Sequence, residues 1–152
     1  MTRKINKNPL SVSIQYVKDL SFENPNSPKS LAEYTKQPDI SVDVNVHAKP
    51  LQDKIFEVSL SLKANAKNEN FLLFETELVY CGVFTIDNNV DEKMTQMLVL
   101  IDAPRLLFPF ARAILAETTR DGGFMPLILQ PIDFDILYQN RLKASSNTKG
   151  SA

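Results

Sequence analysis

Leu10, Val12, Ile14 and Tyr16 alternate with Ser11, Ser13 and Gln15. That period of two predicts a half-buried strand. Asn24-Pro25-Asn26-Ser27-Pro28 follows and predicts a turn, with loop running on to Pro38. A second strand is predicted where Ile40, Val42, Val44 and Val46 alternate with Ser41, Asp43, Asn45 and His47, closed by Lys49-Pro50. A third is predicted where Phe56, Val58, Leu60, Leu62 and Ala64 alternate with Glu57, Ser59, Ser61 and Lys63. Lys67 to Asn70 has hairpin length. The fourth apolar stretch, Phe71 to Ile86, is long for a strand, and Gly82 inside it predicts a bulge or bend. Apolar residues lie on both of its faces, which asks for cover on both and hence for a partner subunit.

The pattern then turns helical. Asp91 is placed to cap a short helix through Met94, Met97 and Leu98, and Asp102-Ala103-Pro104 reads as the cap and first turn of the next. Leu106 to Ala116 carries one charge, Arg112, so this helix is expected to be buried all round, again by a second copy. Pro109 is expected to kink it or to mark the start of its main segment, and Gly122-Gly123 to end it. Met125 to Pro131 reads as extended, and Asp133 as the cap of a last helix with Phe134, Leu137, Tyr138 and Leu142. Strands first and helices after predict an α+β fold: a four-stranded antiparallel sheet with helices packed on one side. Residues 10–142 form the one expected domain, between a flexible basic stretch at 1–9 and a disordered tail at 143–152.

Composition adds less. At 152 residues and 43% hydrophobic, the chain has ordinary globular proportions. No apolar run reaches the length of a membrane span or of a signal-peptide core, and the lone Cys81 fits a reducing compartment. A cytoplasmic location and no direct membrane insertion are expected. Charge changes the picture more. Arg3, Lys4, Lys7, Arg141, Lys143 and Lys149 lie at the ends, which leaves 11 basic and 18 acidic residues between them. The body is acidic, which argues against a nucleic-acid partner.

Candidate chemistry is thin. His47 falls on the polar side of its strand, and Cys81 sits in an apolar strand as buried structural cysteines do. Asp87 to Asp91 starts like a calcium loop, but Glu92 stands where glycine is needed and Leu98 where the bidentate Glu is needed. No metal, cofactor or catalytic set is expected, and the chain is read as a non-enzyme.

Three stretches do carry a signature. Lys18-Asp19-Leu20-Ser21-Phe22-Glu23-Asn24-Pro25-Asn26-Ser27-Pro28, Arg105-Leu106-Leu107-Phe108-Pro109-Phe110-Ala111-Arg112 and the run from Gly122 to Phe134 resemble, in order and spacing, three motifs of the bacterial protein-export chaperone family SecB. The resemblance implies an ATP-independent chaperone that holds unfolded preproteins and delivers them to the SecA motor, and a homotetramer built as a dimer of dimers. It implies an acidic patch for the zinc-holding C-terminal tail of SecA, at Asp19, Glu23 and Glu77, with Glu75 added where some relatives have an apolar residue. It implies a client groove at Tyr34, Ile40, Val42, Val44, Tyr138 and Leu142, with Lys36 where several relatives have an aromatic. Subunit contacts are expected from Leu106, Leu107, Phe110 and Ile114 on the helix and Leu78 and Tyr80 on the fourth strand. A related chaperone that controls a toxin–antitoxin pair is the alternative.

Overall fold

The alternating stretches fold as four long strands. The computed structural model describes residues 8–32 and 37–150, with side chains up to 146. In it β1 spans Leu10–Glu23, β2 Asp39–Gln52, β3 Ile55–Lys67 and β4 Leu72–Ile86. They make one antiparallel sheet in the order β1-β4-β3-β2.

Three strand expectations need correction. β1 does not stop near Tyr16. Its alternation breaks at Val17-Lys18-Asp19 because a bulge lies there, and period two resumes at Leu20 and Phe22. β2 does not close at Lys49-Pro50. It runs on through Pro50, which an edge strand tolerates because the missing N–H would have no partner strand to meet. Gly82 is not a bulge, for it pairs regularly with Gln15 on one side and Val58 on the other. Its bare Cα makes room for Leu107: a Cβ there would lie 3.1 Å from Leu107 Cδ2 and 2.7 Å from the Phe84 ring.

The helices are α1 (Glu92–Met97), α2 (Ala103–Asp121) and α3 (Phe134–Gly150). Asp91 caps α1 as expected, accepting from the Met94 N–H at 2.8 Å, and Asp133 accepts from the Ile136 N–H at 3.1 Å at the start of α3. Asp102 is not a cap. It sits in helical conformation within a π turn, Leu98–Asp102, that joins α1 to α2 as one rod. The wider turn fits Pro104, which brings no N–H to a regular ladder. Pro109 lies inside α2 and does not end it, while Gly122 and Gly123, the latter at φ +95°, do. α3 continues to Gly150, where a disordered tail was expected. No proline interrupts Lys143 to Gly150, so a helix already nucleated at Asp133 can extend.

The sheet has a helix side and an open side. Val58, Leu60, Leu62, Ala64 and Ala66 of β3 and Phe74, Leu78, Tyr80, Phe84 and Ile86 of β4 are buried on the helix side, with Leu107, Ala111 and Leu115 of α2. The open side of β4 is thin in apolar residues. Val79 and Val83 are half-buried and Cys81 is covered, its thiol donating to the Ser59 hydroxyl oxygen at 3.2 Å.

Candidate functional site

Register alone assembles a charged surface on the open side. Glu23 stands directly opposite Glu75, Ser21 opposite Glu77 and Asp19 opposite Val79. Side chains at cross-strand partners share a face, so all four expected carboxylates meet on adjacent strands. Asp43 of β2 lies in the row of Glu77, across Lys63. The Lys63 ammonium reaches Glu77 at 3.3 Å and Glu75 at 3.5 Å. Glu77 and then Glu75 hold the Lys63 pKa above its ordinary value.

At the other end of the same face one carboxylate, Glu57, lies beside two cations, Lys18 and its cross-strand neighbour Lys49. The Tyr16 hydroxyl donates to Glu57 Oε2, and the Lys18 ammonium donates to Glu57 Oε1 at 2.9 Å. The hydrogen bond to Glu57, then burial, push the Tyr16 pKa up to about 12. The same two donors, Tyr16 first, hold the Glu57 carboxyl below its usual value. Burial raises the Cys81 pKa, so its thiol stays protonated. His47 is exposed. Among the described residues no group of three His, Cys, Asp or Glu could hold a metal ion.

Apolar grooves lie on the helix side, beside the edge strand β2. Ile40 and Val42 are 48% and 39% exposed there, because α2 does not reach them. One groove, about 600 Å³, runs from Leu31 and Ile40 past Leu73 and Phe74 to Phe124, Met125, Leu127 and Ile128. Met125 is 89% exposed and Ile128 67%. A second, about 280 Å³, brings Val44 to Tyr138, and a third, about 330 Å³, brings Tyr138 to Leu142. Of the six residues expected to form one groove, five are described, and they do not share one groove; Val42 lines none of the three. Ile40 lines the first, while Val44, Tyr138 and Leu142 line the smaller two. Tyr34 and Lys36 fall outside the described residues. The Met125 to Ile128 wall was missed, and the signal for it was the apolar extended stretch Met125 to Pro131, with a proline near each end. Phe22, Phe74 and Phe124 cluster at the base, with centroids 5.0–6.3 Å apart; Phe22 stacks on Phe74, and Phe124 is tilted against both.

The expected subunit-contact residues also separate. Leu78 and Leu107 have no accessible surface within the single chain, and Tyr80 very little. Leu78 and Leu107 belong to the chain's own core and have nothing to present to a second copy, which corrects the expectation for both. Within the single chain α2 keeps one face open. Leu106 and Phe110 are 38% and 49% exposed, and Ile114 is half-buried. The Phe110 ring stacks on Tyr80 at 6.3 Å, and Tyr80 pairs with the exposed Val17 of β1. Val17, Leu20, Leu106 and Phe110 leave an apolar surface along β1 and α2.

No helix among the described residues is long and apolar enough to cross a membrane. The profile of a family described as preprotein translocase subunit SecB matches residues 3–145. The protein-export protein SecB of Mesorhizobium japonicum is 52% identical over 145 residues, covering 93% of this chain and 86% of that protein. That of Rhodopseudomonas palustris is 50% identical over 143 residues, covering 94% and 87%. Among solved structures, the SecB-like chaperone of Mycobacterium tuberculosis, in complex with a ChAD peptide from the HigA1 antitoxin, is similar in fold. The TM-score is 0.68 at 12% identity, over 82% of this chain and 91% of that one.

Proposed function

This chain belongs to the SecB family of protein-export chaperones, and from that premise we propose how its two faces divide the work. The helix-side grooves hold unfolded precursors, and the acidic open face meets the basic, zinc-holding tail of the SecA motor. The observation that carries the client half is the groove of about 600 Å³ walled by the exposed Ile40, Met125 and Ile128. A soluble chain does not leave such side chains in water without use. Burial of apolar area at about 25 cal/mol per Å² binds an unfolded chain without reading its sequence. Methionine adapts to many side-chain shapes, which suits a site with many clients.

The motor half rests on Asp19, Glu23, Glu75 and Glu77, gathered on one face by strand register. Complementary charge speeds encounter and is weakened by salt. The chain works by binding rather than catalysis, in the cytoplasm. Copies associate through Val17, Leu20, Leu106 and Phe110 into a dimer and then a dimer of dimers, so several grooves act on one client and avidity multiplies weak contacts. An export role is favoured over control of a toxin–antitoxin pair by the close relatives, all named for export.

The test is light scattering coupled to size exclusion, with and without an unfolded precursor. A mass near four subunits that rises with the unfolded but not the folded precursor is expected. A monomer that ignores unfolded chains would sink the reading. Val42→Arg places a charge on the apolar helix side of β2 and is expected to weaken precursor binding, by calorimetry, at unchanged oligomeric mass.

A further inference from the structure

The wall of the 600 Å³ groove pairs a fixed backbone with an uncovered sulfur. The Phe124 N–H donates to the Thr119 carbonyl at 3.1 Å, and the Leu127 N–H donates to the Thr119 hydroxyl oxygen at 2.9 Å. Thr119 itself is fully buried in α2. These bonds bracket Met125, so its backbone is anchored while its side chain is 89% exposed. The other methionines with described surroundings are better covered. Met94 is 49% exposed, and Met97 is half-buried against the core. The Cys81 sulfur is buried. Met125 thus carries the most accessible sulfur among the described residues, and that sulfur belongs to an apolar wall. Among the described residues of this groove, Gln37 alone has a polar side chain.

Hydroperoxides oxidise thioethers. The sulfur lone pair attacks the outer peroxide oxygen, the O–O bond breaks and an S=O bond forms. The departing oxygen takes a proton and leaves as water or an alcohol. Sulfur gives up two electrons and the peroxide gains them. The product is polar, and reductases reverse it. We propose that Met125 is an oxidation site that switches the groove: a hydroperoxide converts its thioether to the sulfoxide, which loosens the hold on apolar segments, and a thiol-dependent sulfoxide reductase restores it. In the restoring step the oxygen leaves as water and two thiols become a disulfide. Binding weakens because a seated apolar segment strips water from the S=O group, and Gln37 is the one side chain there able to donate to it. The fold is spared, since Met125 lies outside the core. An occupied groove covers the thioether, so client and oxidant compete for one side chain. The inference rests on the reading that this groove holds unfolded clients.

The test treats the full chain with hydrogen peroxide, removes the peroxide with catalase and titrates an unfolded precursor by calorimetry. Peptide mass spectrometry reads the sulfoxide at each methionine. Met125 is expected to oxidise ahead of Met94 and Met97, and more slowly when precursor is already bound. Precursor affinity is expected to fall about tenfold, in step with the fraction of Met125 oxidised. Sulfoxide reductase with a dithiol should restore it. Each variant is compared with itself before treatment. Met125→Leu should lose no affinity to peroxide, while Met94→Leu should show the full loss. Oxidation of Met94 or Met97 ahead of Met125, unchanged affinity once Met125 is oxidised, or an equal loss in Met125→Leu would each overturn the proposal. In those cases the untreated chain still binds precursor, and the groove reading stands. If the untreated chain binds no precursor, the client reading fails and the switch fails with it.

Discussion

Lys63 stands between Glu75 and Glu77 and partly neutralises the acidic surface that we propose meets a basic partner. Half-exposed ion pairs are weak, so a basic partner can displace it at little cost. Glu77→Lys removes one carboxylate and adds a second ammonium beside Lys63. Affinity for a basic SecA tail peptide, measured by calorimetry, is expected to fall, with precursor binding spared. Loss of both would indicate a folding defect. Tyr16 makes a different kind of prediction. Its pKa rises from 10.0 to about 12 on folding. A raised pKa contributes stability that is complete below the unfolded value and is lost as pH climbs through the folded one. The hydrogen bond to Glu57 should therefore stabilise the fold below pH 10 and cease to do so toward pH 12. Urea unfolding of Tyr16→Phe should show a gap to the native chain that closes over this window. A gap that persists at the alkaline end would mean the hydroxyl acts through packing instead.

Gly122 ties the first strand to the end of the long helix. Phe22 of β1 lies against its Cα, where a Cβ would run into the ring. The ring is held on one side by Phe74 and Phe124. Gly122→Ala is expected to destabilise the chain by about 1–3 kcal/mol, as overpacking does. The midpoint of urea unfolding measures it, and an unchanged midpoint would show that Phe22 swings clear. This contact joins two of the three sequence motifs, at Phe22 and at Gly122. Its residues were legible in the chain, but the reason they occur together was not. The same holds for Gly82, whose smallness serves Leu107 of α2, a neighbour that no local pattern reveals.

The sheet separates two kinds of surface. One face is acidic and polar, the other apolar where α2 and α3 leave β2 uncovered. A client and a basic partner can thus bind without competing for the same side chains. The β1 edge, with Val17 and Leu20 beside Leu106 and Phe110, supplies a third surface. Phe110→Asp puts a charge on that surface, where Phe110 is half-exposed and carries little of the core. The mass from light scattering is expected to drop below the tetramer while the circular dichroism of the single chain is kept. A tetramer that survives the change would move the interface elsewhere.

Alternation along the chain was enough to find four strands and their order of appearance, although in β1 a bulge at Ser13 sends Leu10 and Val12 to the helix side and Ile14 and Tyr16 to the open side. The Asp91 and Asp133 caps were legible for a local reason: a side chain that accepts from the first helical turn lies within three residues of it. Cross-strand register was not legible, and it decided the site. Only pairing sets Glu23 opposite Glu75, and only pairing frees the outer edge of β2. Residue type also could not say which apolar side chains serve the chain's own core. Leu107 and Leu106 are identical and adjacent, yet a helix turns them to opposite fates, one against Gly82 and one toward solvent. The sequence determined which residues are apolar and how they repeat. The tertiary structure decided what each one faces, since facing depends on neighbours distant along the chain.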